Sequence, residues 1–249
     1  MGLFSAIGSA LSGIGHAICN GISKVCSAIG GALSTAATAI SNFANTIITK
    51  GPILFPKIDP LRIIINVVGA IVGAIAEALG LKQKEKDDPD ELGMKAEQAG
   101  KKPEDFESTE AYIKYLHDEV KVDEEKKKKL TEEEKAAYSA IGSKLYLDAT
   151  TEKLGLEKDS ITPEMLLDAA KLKLSGNEIV EILKETKTAG IEPNKVSEFL
   201  HGKTKMDESS KVSSAMSEAF SRLEPEMSKD DIMDRICDMK QELSDLKVY

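Results

Sequence analysis

Three histidines, His16, His117 and His201, and three cysteines, Cys19, Cys26 and Cys237, are the side chains best suited to metal or nucleophilic chemistry here. His16 and Cys19 stand three apart, so a helix would carry both on one side and supply half a metal site, but no other ligand stands nearby. Cys19 and Cys26 read instead as small packing residues. His117, in YLHDEVK, reads as an exposed helix residue among carboxylates. No P-loop, dinucleotide fingerprint, EF-hand loop, HExxH or nucleophile elbow occurs. With 42 Asp and Glu residues, no carboxylate pair stands out as an acid–base couple. The sequence offers no catalytic, cofactor-binding or metal-binding residue, and the expectation is a non-enzymatic protein. A cleft with convergent polar groups in residues 101–249 is what would raise an enzyme reading.

Chemistry of another kind is written into the elements. The chain carries a net charge of −9, but residues 1–81 hold Lys24, Lys50, Lys57 and Arg62 against Asp59 and Glu77, a net +2. The remaining 168 residues therefore carry −11. That shift, near Lys82, reads as a boundary between parts suited to different solvents. An acidic chain meets nucleic-acid phosphate with like charge, so no nucleic-acid partner is expected. The run Lys126–Lys129, flanked by acids, reads as a solvated helix face. Sparse cysteine argues against a disulfide framework. No basic region precedes the opening apolar run, so a Sec signal peptide is not expected. Ala6 stands where an N-myristoylation signal wants Ser or Thr.

Cut at Ser5, the opening falls into four lines of eleven: SAIGSALSGIG, HAICNGISKVC, SAIGGALSTAA and TAISNFANTII, covering 5–48. Column two is Ala throughout and column three is Ile throughout. Eleven residues in three turns is about 3.67 per turn, close to the α-helical period, so each column keeps one direction along a helix. The apolar columns (two, three, six, seven, ten and eleven) fill one unbroken arc whose large members are Ile7, Leu11, Ile14, Ile18, Ile22, Val25, Ile29, Leu33, Ile40, Phe43, Ile47 and Ile48. The opposite arc is small and polar, with Ser12, Ser23, Ser34 and Asn45 in column eight.

Six glycines within the repeat cost on the order of 1 kcal/mol each against Ala, so the helix needs its apolar arc covered. Burying twelve large side chains returns roughly 18–36 kcal/mol gross. Three surfaces can cover it: a membrane interface under a helix lying flat, copies of the same chain, or a hairpin turning at Gly30-Gly31 whose halves each span a bilayer. Within the repeat Lys24 is the only cation, so insertion would be apolar rather than charge-driven. The short start GLFSAIG resembles the N-termini of viral fusion peptides and cytolytic helical peptides over seven residues, which implies membrane activity.

TKGPILFPKIDP (49–60) holds Pro52, Pro56 and Pro60 and is expected to break the helix. LRIIINVVGAIVGAIAEALGL (61–81) follows, either a membrane span or a buried bundle helix. Gly69-x-x-x-Gly73 would allow close helix packing, and Asn66, Ala70, Gly73 and Glu77 share one side. Residues 82–100 read as a linker with at most a short helix. In 101–249, capping boxes at Thr131-x-x-Glu134 and Ser175-x-x-Glu178, with Thr162-Pro163 and Pro193, mark helix starts. The segment opened by Thr162-Pro163 is expected to run to Gly176. Ile232, Ile236, Met239, Leu243 and Leu246 form a short heptad seam able to pair with a protein partner.

The fold class expected is all-α: long amphipathic and hydrophobic helices built on the eleven-residue repeat, then an acidic multi-helix domain. The function expected is membrane insertion or perforation by residues 1–81, as in a pore-forming toxin, a secreted translocator or effector, or a virion penetration component. Its partners would be a lipid membrane and further copies of itself. It would be exported by a non-Sec route or packaged in a virion, and membrane-associated where it acts. The competing expectation is a structural protein whose repeat drives homo-oligomerisation without lipid.

Overall fold

The computed structural model describes residues 2–82, 88–244 and 246, with side chains from Leu11 onward. Among these, the chain forms twelve helices and no strand, the expected all-α class. The helix α1 (Gly2–Ile29) is followed without a loop by α2 (Gly31–Leu54). Gly30 and Gly31 both take positive φ (74° and 56°), where a side chain would collide with its own backbone. The chain therefore reverses there, bringing Gly15 and Cys19 of α1 beside Asn45 of α2. The chain thus reverses at the glycine pair, as the hairpin expectation has it, but the repeat's apolar arc is covered by other helices of the same chain, a surface outside the three expected.

Pro52 does not break α2, contrary to expectation. It falls in the last turn, where its missing N–H costs a single bond, and the helix runs on to Leu54. Pro56 stops it by forcing Phe55 out of helical conformation (φ −128°, ψ 64°), though Phe55 N–H still reaches Gly51 O at 2.8 Å. Asp59 then caps α3 (Pro60–Ala78), accepting from Leu61 N–H at 2.9 Å. Residues Ile63–Val68 of α3 form a π-helical turn, closed by Gly69 N–H on Ile64 O. Arg62, Asn66, Ala70 and Glu77 face solvent, and Ile63, Ile64, Val68, Val72 and Ile75 face the core.

The expected linker is in large part structural. Residues Pro89–Gln98 form α4, with Leu92, Met94 and Ala96 buried. The acidic sequence then builds α5 (Thr109–Glu119), α6 (Glu124–Lys129) and α7 (Glu132–Leu154). After these come α8 (Pro163–Lys171), α9 (Gly176–Thr188), α10 (Asn194–Leu200), α11 (Met206–Leu223) and α12 (Lys229–Ser244). Both capping boxes form as expected. The segment opened by Thr162 stops at Lys171 rather than Gly176, because Lys173 turns left-handed (φ 56°) and Gly176 begins the next helix.

Helix α7 is the axis of the molecule, apolar or small on every side and buried from Ala136 to Leu147. Helices α1, α2, α3, α4 and α5 all pack on it. The crossing with α4 is backbone against backbone. A Cβ on Gly93 would lie 2.2 Å from Tyr138 O, and one on Gly142 would lie 1.8 Å from Pro89 O. Helix α9 packs on α3, α11 packs on α9, and α10 and α12 pack on α11, so one hydrophobic core runs from Ile18 to Leu243. The boundary near Lys82 is thus a shift in composition across which the core continues.

Candidate membrane-insertion hairpin

The repeat's large apolar residues line the inner side of the hairpin. Ile18, Ile22, Val25, Ile29, Leu33, Ile40, Phe43, Ile47 and Ile48 are all buried, and Leu11 and Ile14 half-buried. The side chain of Ile7 lies outside the described residues. Columns three, seven, ten and eleven make the dry face. Column two does not join it: Ala17, Ala28 and Ala39 are exposed, because the covering helices span a narrower arc than the sequence pattern suggests. On the outer side Ser12, Ser23 and Ser34 face water as expected. Asn45 departs from them, donating from Nδ2 to Cys19 Sγ at 3.2 Å inside the hairpin. That bond gives Cys19 a role in holding the two limbs together. Cys26 is buried, as small-residue packing requires, and Cys237 is exposed.

The two limbs are held differently. Helix α1 lies directly on α7, where a Cβ on Gly21 would be 3.2 Å from Ala137 Cβ. Helix α2 stands over two open clefts of about 310 and 360 Å³ that share Asp148 and Thr151. In the first cleft Lys144, almost fully buried, donates to Asp148 Oδ1 and, over 2.7 Å, to Asp159 Oδ1. Burial pushes the Asp148 carboxyl above its ordinary range, with Lys144 pulling the other way. The ends of α2 are tied by carboxylates. Glu104 accepts from Ala32 N–H at 3.1 Å and occupies the space a side chain on Gly31 would need. Glu164 accepts from Lys50 at 2.5 Å. Burial alone would raise Glu164, but the Lys50 hydrogen bond holds it below its usual value.

The other expected packing residues divide. Gly69 is buried close to Ser139 Oγ of α7 and Pro89 of α4, a helix–helix approach as read from the sequence. Gly73 is also buried, but the space beside it is taken by the Lys82 side chain rather than by a helix. The heptad seam is already occupied. Ile232, Ile236, Met239 and Leu243 are buried against α10 and α11, and Leu246 packs at the edge of the core, so this seam meets helices of the chain itself.

No protein-family model, no curated protein and no solved structure matches the chain.

Sequence reasoning missed two polar clusters and misplaced a third. Asp168, Ser197 and His201 converge, with Ser197 Oγ donating to Asp168 Oδ2 at 2.5 Å and His201 Nε2 2.9 Å from Asp168 Oδ1. The carboxylate stands between hydroxyl and imidazole. This is not the Ser–His–Asp order, in which the imidazole stands in the middle, and the cluster ties α8 to α10. Cooperation between residues 29 and 33 positions apart has no local signature. The second missed cluster is the Lys144 triad. The third concerns Lys126–Lys129, only partly a solvated face: Lys126 pairs with Glu97 and Lys127 with Glu91, fastening α6 to α4. His117 is half-buried rather than exposed, its ring edge-on to Tyr146 with Nε2 3.4 Å from the phenol oxygen. Among the described residues no three His, Cys, Asp or Glu side chains gather as a metal site.

Proposed function

We propose that this protein is a non-enzymatic membrane-active protein whose first eighty residues insert into a lipid bilayer, and that the fold described here is its water-stable form. The observation that carries this reading is the hairpin. Two helices of 28 and 24 residues, about 42 and 36 Å long at 1.5 Å per residue, meet at a glycine pair with a single cation, Lys24, between Leu3 and Thr49. Each exceeds the roughly 30 Å of a bilayer's hydrocarbon core. Helix α3 supports the reading more weakly. Pro60–Ala78 is long and apolar enough to span, with mean hydropathy 1.9, but half of it is buried as in a core helix. In the bilayer the Ile and Leu columns would face lipid, and the Ser12, Ser23, Ser34 side would line a wet path between several copies. The acidic helices keep the stored form in water.

A reversible lock tests this with the fold intact. In a background of Cys19→Ser, Cys26→Ala and Cys237→Ser, the pair Gly21→Cys and Ala137→Cys places two Cβ atoms near disulfide distance. Expected is dye release from phosphatidylcholine vesicles by the reduced protein and none by the oxidised one. Equal release by both, or no release and no vesicle binding by the native chain, overturns the reading. In the second case, association through the exposed small face of Ala17, Ala28 and Ala39 becomes the leading account, as an assembly protein.

A further inference from the structure

We infer that the first lipid contact is made not by the repeat, which is covered, but by the short turn between α2 and α3, and that the surface it fits is a bilayer with anionic headgroups. This deepens the membrane reading above and rests on it.

The turn joins two apolar helices that fold back on one another, Gly51 of α2 lying against Ile63 of α3. Its sequence, ILFPKID, should hide its apolar members if solvation alone shaped it. Instead Ile53 is 59 % exposed and Ile58 37 % exposed, two of the four large apolar side chains exposed among the described residues. The others, Met206 and Met233, lie far from this turn and from each other in sequence. Phe55, half-buried, anchors the turn to the core, and Pro56 stiffens it. Ile53 and Ile58 are thus held outward by a rigid base, the arrangement of a wedge that enters an interface without rearranging first.

Charge selects the occupant. Three of the four cations in residues 1–81 (Lys50, Lys57 and Arg62) fall within thirteen residues around this tip, in a chain of net −9. Lys50 is tied to Glu164, Arg62 stands 3.9 Å from Glu132, and Asp59 is engaged as the cap of α3. Lys57, exposed at the apex, is the cation left to meet headgroups. A long aliphatic stem with a terminal ammonium between two isoleucines suits a lipid surface, since the stem lies among acyl chains while the charge rises to phosphate. Insertion therefore supplies most of the affinity and Lys57 the preference for anionic lipid.

Vesicle flotation of the full chain tests this, with phosphatidylcholine alone and with phosphatidylcholine containing about 30 % phosphatidylserine. Expected is binding to both, stronger to the anionic mixture. Ile53→Asn/Ile58→Asn should lower partitioning by roughly tenfold or more on both, and Ile53→Asn alone, at the more exposed position, should lower it on both with an unchanged melting curve. Lys57→Glu should remove about fivefold from the anionic mixture and leave neutral vesicles unaffected. Met206→Asn, altering an exposed apolar side chain elsewhere, should change nothing. Tip variants that bind within about twofold of the native chain overturn the inference while leaving the membrane reading standing. A Met206→Asn loss equal to the tip's overturns it likewise. A native chain that binds neither vesicle overturns both.

Discussion

Lys144 has almost no exposed side chain, and two carboxylates answer it. Removing one partner of a buried pair leaves the other as an uncompensated charge, the costly event in such clusters. Lys144→Met is therefore expected to lower stability by about 3 kcal/mol at neutral pH. The pH dependence follows from Asp148, whose carboxyl burial raises above its ordinary value. A raised carboxylate binds its proton more readily folded than unfolded, so its burial costs stability above the folded pKa and that cost fades as pH falls through it. With Lys144 gone the raising effect stands unopposed. Urea unfolding at pH 7.5 and pH 5 should show the Lys144→Met deficit shrinking in the more acidic buffer. A deficit that is the same or larger at pH 5 would place its origin in packing rather than charge. The double variant Lys144→Met/Asp148→Leu should recover much of the loss at pH 7.5.

Between elements, contact distance matters more than contact type. Helices α4 and α7 cross with Gly93 and Gly142 against each other's backbones, and a single methyl on Gly142 would overlap Pro89 O. Gly142→Ala should cost about 2–3 kcal/mol, read as a lowered urea midpoint, while Gly13→Ala, with open space around it, should be neutral or stabilising. Nothing in the sequence singles out Gly142, because a close approach is a property of two segments and only one is visible at a time. By contrast the repeat announced helix and the columns that hold its Ile and Leu, since period and side-chain size are local. It did not announce the narrowing of the arc at Ala17, Ala28 and Ala39, which depends on how much of the surface α7 reaches. The turn at Gly30-Gly31 was legible as an option only: the eleven-residue register runs through it unbroken because both limbs face the same body. Pro52 misled for a related reason, since a proline's cost depends on whether acceptors upstream are already near a helix end. The capping boxes at Thr131 and Ser175 were read correctly, being complete within four residues.

At the scale of the whole molecule, one core joins an almost uncharged third of the chain to an acidic two thirds. Its apolar arc and its heptad seam are both satisfied internally, so copies have little to gain from one another in water. Sedimentation equilibrium in neutral, lipid-free buffer is expected to return the 26.9 kDa monomer mass with no rise over a fiftyfold concentration range. Concentration-dependent association without lipid would favour the assembly account over the membrane one.

The position of α7 in the sequence carries a consequence for how such a chain is born. The repeat ends before residue 50, but the helix that covers it spans Glu132–Leu154. At about 5–20 residues per second, the roughly hundred residues between the hairpin turn and its cover take on the order of 5–20 s to emerge from a ribosome. During that interval the apolar arc of the repeat exists and its sheath does not. The fate of each molecule is thus decided by whatever reaches the bare hairpin first: a holding chaperone, a nearby bilayer, or the molecule's own next stretch of chain.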